Sequence, residues 1–428
     1  MPHRPSCRAV PCARRSRPRP IVQPIVAGIV GAITGFASTF ALVIAGLIAV
    51  GATPAQAASG LLILCLTQAV IAMVMSWRYK LPLSFAWSTP GAALLVAAQA
   101  TTGSFGAAVG AFIACGVLIV LTGLWPALTR AMTRIPKPIA SAMLAGILFP
   151  ICLAPVQAAV QLPLLALPIV LVWLVLYRLA PRWAVPGALV VTVVVIGMTA
   201  GTEWLSSAVI APQLSFVTPE VDPLVIVSLG LPLYVVTMAG QNVPGFAVLA
   251  TFGYERPPAS AVLIGSGALS AVGALFGGHA INLAALSAAL MAGPDAHPDA
   301  GRRWVSSFAG GATYIVLGLG AGLATSLVAA SPPLLITAVA GLAMLGALVS
   351  GITAALDDPR HRTVAIVTFL VVASGVVIAG IGSAFWGLLV GGTVMLWLGW
   401  TRGPRAPRTP RGRRDSASSR SSLTNPGE

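Results

Sequence analysis

The chain has 428 residues, 57% of them hydrophobic and only 8% charged, with a mean hydropathy of +0.92; soluble domains carry about 25% charged residues, so a soluble fold is excluded. The net charge of +15 does not mark a nucleic-acid surface, because all 25 Lys and Arg lie in the two tails or in short loops. The strand alternation of an outer-membrane barrel is absent, and repeated long apolar runs indicate an all-α polytopic membrane protein.

Residues 1–24 form a Pro- and Arg-rich tail, "RPSCRAVPCARRSRPRP", that predicts disorder and lacks the order of regions found in a signal peptide. Apolar spans follow near 25–50, 55–76, 85–99, 104–125, 138–158, 163–179 and 184–201. Residues 202–222 make the longest loop, acidic through Glu203, Glu220 and Asp222 and free of Lys and Arg. Seven more spans are expected near 223–250, 258–275, 279–292, 304–329, 333–354, 363–380 and 383–400, before a basic tail at 401–428. The Arg and Lys clusters at 78–80, 130–137, 178–182, 256, 302–303 and 360–362 fall on one side of this pattern. By the positive-inside rule that side, with both termini, is cytoplasmic; the expected location is a bacterial cytoplasmic (inner) membrane.

About fourteen spans split by the long loop into seven and seven imply an inverted repeat, since an odd number per half inserts the second half upside down. "TGFASTFALV" (34–43) in the first span resembles "PGFAVLATFG" (244–253) in the eighth. The third and tenth spans, at equivalent positions, are both short of the roughly 20 residues needed to cross. Matched short segments of this kind point to a transport site.

The third span reads "LPLSFAWSTPGAALL" (81–95). Pro90 cannot donate a backbone hydrogen bond and disfavours helix at Thr89. The expectation is an extended approach through Phe85 and Trp87, then a half-helix starting near Pro90 with Ser88 or Thr89 as N-cap. Its exposed N–H groups and positive dipole end suit an anion. The partner stretch is "FGGHAINLAALSAAL" (276–290), where Gly277-Gly278 breaks the chain and a helix is expected from about His279, with Asn282 one turn into it. Pro244-Gly245 suggests a further break in the eighth span, beside Gln241 and Asn242.

Each candidate has a bland counterpart. Ser88, Thr89 and, less strongly, Ser84 donate to an anion or cap their own helix. Gln241, Asn242 and Asn282 bind a carboxylate or glue helices together. Phe85 and Trp87, on one face of an extended segment, stack on an aromatic ring or anchor at the membrane interface. Phe36 and Phe246 line a cavity or pack. Gly91, Gly277 and Gly278 let a ligand approach backbone. His279, the one mid-span group that titrates near neutral pH, carries a proton or is a neutral, satisfied histidine. Five Cys and four His show no metal or disulfide spacing, and no Walker motif occurs, so no metal, cofactor or ATP-driven step is expected. An enzyme would need a catalytic cluster that the spans do not offer.

Together "FAWSTPGAALL", "GQNVPGFAVL", "FGGHAINLAALSAAL" and "AHPDAGRRW" resemble the BenE benzoate/proton symporters, in order, from about Ile25 to Trp400. The resemblance implies the seven-plus-seven fold shared with uracil/xanthine permeases and sulfate/bicarbonate transporters. A core (spans 1–4 and 8–11) would move against a gate (spans 5–7 and 12–14). It implies a small aromatic carboxylate and protons as the cargo; a homodimer is compatible with it. Nucleobase permeases commonly hold a substrate-binding Glu in the eighth span, where this chain has Gln241-Asn242. Two alternatives stay open: an uncoupled facilitator or channel for organic anions, and a transporter of another substrate such as a nucleobase or inorganic anion.

Overall fold

The structure, a computed structural model, describes residues 22–98, 102–125, 136–199, 213–254, 256–284 and 286–399. Both tails, apart from residues 22–24, and the first part of the long loop lie outside the described residues.

Helix α1 (Val22–Ala49) and α2 (Pro54–Tyr79) are joined by a tight turn. Thr53 caps α2 in a reciprocal box: its hydroxyl accepts from the Gln56 amide, and the Gln56 side chain accepts from the Thr53 amide. The helix ends at Lys80 in the left-handed conformation (φ 54°), which turns the chain back into the protein. Strand β1 (Phe85–Trp87) and half-helix α3 (Thr89–Ala97) follow, then α4 (Phe105–Leu124), α5 (Lys137–Gln161), α6 (Pro163–Leu179) and α7 (Ala184–Thr199).

After the long loop come α8 (Pro223–Thr251), α9 (Ala259–Ala274), β2 (Ile281–Leu283), α10 (Leu286–Ala292), α11 (Trp304–Leu319), α12 (Ala321–Ala329), α13 (Pro333–Leu356), α14 (Arg362–Ala373) and α15 (Ser383–Gly399). Among the described residues, six helices (α1, α2, α4, α5, α8 and α13) are long and apolar enough to cross a membrane singly. The pair α11–α12, bent by 54° at Gly320, makes a seventh if counted as one span. The helices α6, α7, α9 and α15 are apolar but shorter.

Three expectations need correction. The helix of the tenth segment starts at Leu286, not near His279, so Asn282 lies in strand β2 rather than one turn into a helix. Pro244 does not break the eighth span, because α8 widens into π turns at Ile226–Gly230 and Met238–Asn242. Each turn immediately precedes a proline-bearing stretch and contains the carbonyl four residues before it (Ser228 for Pro232, Gly240 for Pro244). Opening the helix there relieves the clash a proline ring makes with that carbonyl. The helix expected over 363–380 ends at Ala373, and Ile378 and Ile381 bridge in the connection to α15.

At the centre β1 and β2 pair antiparallel, with Phe85 opposite Leu283, Ala86 opposite Asn282 and Trp87 opposite Ile281. The ladder extends by Ser88 N–H to Ala280 O (2.8 Å) and Ala284 N–H to Ser84 O (2.9 Å). This pairing satisfies the backbone of two extended segments away from water, which is the condition for non-helical chain inside a membrane. Around it α1 and α2 pack on α11 and α4 packs on α9, while α5 pairs with α13 and α14, α14 with α15 and α6 with α7. A separate apolar cluster including Ala158, Ala166, Trp173, Ala188 and Val339 holds α5, α6, α7 and α13 together. Close approach of α1 to α10 and α11 needs its glycines: a Cβ at Gly31 would lie 2.7 Å from Met291 Cε, and one at Gly28 would meet the Ser306 carbonyl. The described part of the long loop lies across α2, α4 and α9 through Ser215 N–H to Ser59 Oγ, Glu220 N–H to Gly106 O and Val217 N–H to Leu275 O.

Candidate functional site

A cavity of about 370 Å³ lies where α1, the end of β1, the start of α3, the second π turn of α8, and α11 meet. That volume is within the range of small-molecule sites. From the expected residues it collects Trp87, Thr89 and Gln241. From elsewhere it collects Thr34, Ser38 and Thr39 of α1 and Tyr314 of α11. Gly31 and Gly35 complete the α1 wall, and Ala86, Ala284, Ala289 and Leu290 add small or apolar surface.

Trp87 is held in place. Its indole N–H donates to Thr39 Oγ1 (2.9 Å), and its ring meets Phe36 (5.9 Å) and Tyr314 (6.0 Å) edge-on. One aromatic edge is thereby fixed along the cavity. The polar lining divides in two. Ser38 and Thr39 donate back to the carbonyls of Thr34 and Gly35 in their own helix. Thr34, Thr89, Tyr314 and Gln241 line the cavity with no side-chain hydrogen bond among the described residues. These are three hydroxyls and an amide, converging with an aromatic wall and no charged side chain in the lining. They can receive the oxygens of a small acid, with α3 presenting its N-terminal end at Thr89.

The other candidates support this arrangement instead of lining it. Ser88 is fully buried; its hydroxyl caps α3 by accepting from Gly91 N–H (3.2 Å) and also accepts from Thr237 Oγ1 (2.8 Å). Gly91 packs under Leu233 and Ser88. Asn242 Oδ1 accepts from Leu283 N–H (2.9 Å), tying α8 to β2. Asn282 sits in the ladder and donates to Leu283 O (3.0 Å). Phe85 is buried opposite Leu283. Ser84 hydrogen-bonds Ser307 Oγ (3.0 Å), away from the lining. Gly277 takes φ 86° and Gly278 lies against Ile63, both on the α2 side of the ladder. His279 is buried against α4, its Nδ1 3.1 Å from Ala280 O and its ring edge-on to Phe112. Phe36 stacks on Phe40, and Phe246 is half-buried against the core.

The α1 residues had a signal that sequence reading used only for the repeat. Thr34 and Ser38, like Gly31 and Gly35, stand four apart and share a helix face. Tyr314, inside an apolar run, had no comparable mark.

The family model described as BenE, benzoate membrane transport protein, matches residues 20–396. The chain belongs to the BenE family. This BenE-family chain is 39% identical over 347 residues to the inner membrane protein YdcO of Escherichia coli K12, covering 81% of this chain and 88% of that one. It is 35% identical over 326 residues to the benzoate membrane transport protein of Acinetobacter baylyi, covering 76% and 82%. Among solved structures it resembles SLC26A9 (TM-score 0.59, 15% identity, covering 89% of this chain and 66% of that one). It also resembles the transmembrane domain of the cyanobacterial bicarbonate transporter BicA (TM-score 0.54, 17% identity, covering 86% and 97%). At such identities the likeness is one of fold. The BenE chain is thus a multi-pass membrane transporter with a fold like those of SLC26A9 and BicA, and not an enzyme.

Proposed function

We propose that this BenE chain imports benzoate or a close aromatic carboxylate by proton symport. The observation that carries the reading is the unengaged set Thr34, Thr89, Tyr314 and Gln241 around one cavity beside the fixed ring of Trp87. Hydroxyls and an amide suit a carboxylate, and the Trp87–Tyr314 edge suits a ring. The family match and the Acinetobacter relative's name support the same substrate class.

In this reading the chain has fourteen spans in a seven-plus-seven inverted repeat. They are α1, α2, β1–α3, α4, α5, α6 and α7 in residues 25–201, and α8, α9, β2–α10, α11–α12, α13, α14 and α15 in residues 223–400. The antiparallel pairing of the third segment of one half with the third of the other supports that symmetry. Spans 1–4 and 8–11 form the core and the rest the gate; their relative movement gives alternating access. Residues 202–222 are the external connection, and the tails 1–24 and 401–428 are cytoplasmic. The proton candidate is His279, the imidazole beside the second break.

The test is uptake of labelled benzoate into proteoliposomes under an inward proton gradient, with competitors. Accumulation above equilibrium, abolished by a protonophore and competed by substituted benzoates but not by uracil or sulfate, is expected. Equilibration without accumulation identifies a facilitator, and competition by sulfate an inorganic-anion carrier; either overturns the reading.

A further inference from the structure

We propose a second binding site, a chamber at the C-terminal end of α3 that takes an uncharged one-ring molecule bearing a hydrogen-bond acceptor. The chamber has a volume of about 220 Å³ and shares no lining residue with the cavity at the other end of α3. Leu94 and Val96 of α3, Ile147 and Pro150 of α5, Val372 of α14 and Ser228 of α8 form its walls, with Ala384 of α15 closing one side.

Ser228 supplies the polar contact. It is 2% exposed and its hydroxyl has no hydrogen-bond partner among the described residues. Other buried hydroxyls in the spans, such as Thr67, Ser270, Thr325 and Thr368, donate to the carbonyl four residues back. Ser228 lies in the first π turn of α8, where the backbone ladder is displaced, and does not. The two π turns therefore present one polar side chain each, Gln241 to the cavity and Ser228 to the chamber. A buried hydroxyl without an acceptor is costly, and a ligand acceptor removes that cost.

The rest of the lining decides the ligand class. Ser383 is already engaged with Val372 O (2.9 Å), and among the described residues no charged side chain lines the chamber, so they offer an ion no partner. Size points the same way. An apolar cavity of about 150 Å³ takes benzene; this one leaves room for a ring and one small polar substituent. The walls come from α3 and α8 on one side and α5, α14 and α15 on the other. An occupant wedges those groups together and slows transport; that consequence, unlike binding, rests on the core-and-gate reading proposed above.

The probe is acetophenone, which is neutral, has one ring and carries one carbonyl acceptor. Its binding to the purified full chain is measured by saturation-transfer NMR with benzoate saturating. The expected result is a saturable signal that benzoate does not displace. Ser228→Ala, which keeps the volume, weakens the Kd about five-fold, and Ala384→Leu, which fills the chamber, abolishes binding. Displacement by benzoate, or a Kd unchanged in Ser228→Ala, overturns the proposal; Ser228→Ala decides alone if Ala384→Leu is not recovered folded. In uptake assays acetophenone lowers the maximal rate of wild type and not of Ala384→Leu. A protein that binds acetophenone in this pattern but never transports benzoate retains the chamber and loses the functional reading.

Discussion

Gln241 and Asn242 are adjacent amides with different surroundings. Gln241 lines the cavity unengaged, whereas Asn242 is fully buried and accepts from the Leu283 amide. Gln241→Met keeps the length and loses the polar end; the half-saturation concentration for benzoate is expected to rise about five-fold, with the melting temperature unchanged. Asn242→Leu strands the buried Leu283 N–H, which costs about 1–3 kcal/mol, so the melting temperature falls. A fall in both variants, seen by thermal shift, would assign Gln241 to structure. Tyr314 offers a smaller change. Tyr314→Phe removes only the hydroxyl that faces the cavity, and the loss of about 1 kcal/mol shows as a roughly five-fold weaker half-saturation in uptake. Unchanged uptake would leave Tyr314 as a ring that packs on Trp87 and nothing more.

At the scale of elements, the half-helix α3 depends on its cap. It has nine residues, and its first turn is organised by the Ser88 hydroxyl, which also takes the Thr237 proton. Ser88→Ala removes an N-cap worth about 1 kcal/mol and leaves Thr237 without its acceptor. A lower melting temperature is expected, together with slower uptake as the Thr89 end loosens; normal stability would show that the ladder alone holds α3. The glycines separate in the same way. A side chain at Gly278 would strike Ile63 (2.8 Å from the Cβ), and Gly278 is not among the residues lining the cavity, so bulk there is expected to disturb packing against α2. Gly35 faces the Tyr314 hydroxyl (2.6 Å from a Cβ) and is the position where one methyl reaches the cavity wall.

At the scale of the whole molecule, orientation and coupling are the open quantities. In the proposed topology the one-sided Lys and Arg pattern puts both tails in the cytoplasm and residues 201–222 outside. An impermeant maleimide added to intact cells is expected to label Ser206→Cys and not Ser416→Cys; the reverse would invert the topology. Coupling is tested at His279, which is buried beside the second break but outside the cavity lining. His279→Gln keeps a polar side chain and loses the titration. On the proposed coupling, in which substrate and proton affinities are linked through this one group, it is expected to exchange benzoate across the membrane yet fail to accumulate it under a pH gradient. Wild-type accumulation by this variant would make His279 structural and send the proton by another route.

The sequence by itself determined the solvent, the helical class and the two breaks. Hydropathy is summed along the chain, and Pro90 and Gly277 act on the backbone next to them, so these features need no tertiary contact to be read. It also placed Trp87 and Thr89 at the first break and Gln241 in the eighth span, and all three line the cavity. Only the tertiary structure decided the rest. That β1 and β2 form one ladder depends on a register between segments nearly two hundred residues apart. The contribution of α1 and Tyr314 was hidden for a different reason. In a membrane protein a helix is apolar on its lipid face and its packed face alike, so periodicity does not say which side meets a cavity. The neighbours across the gap decide that, and they belong to other parts of the chain.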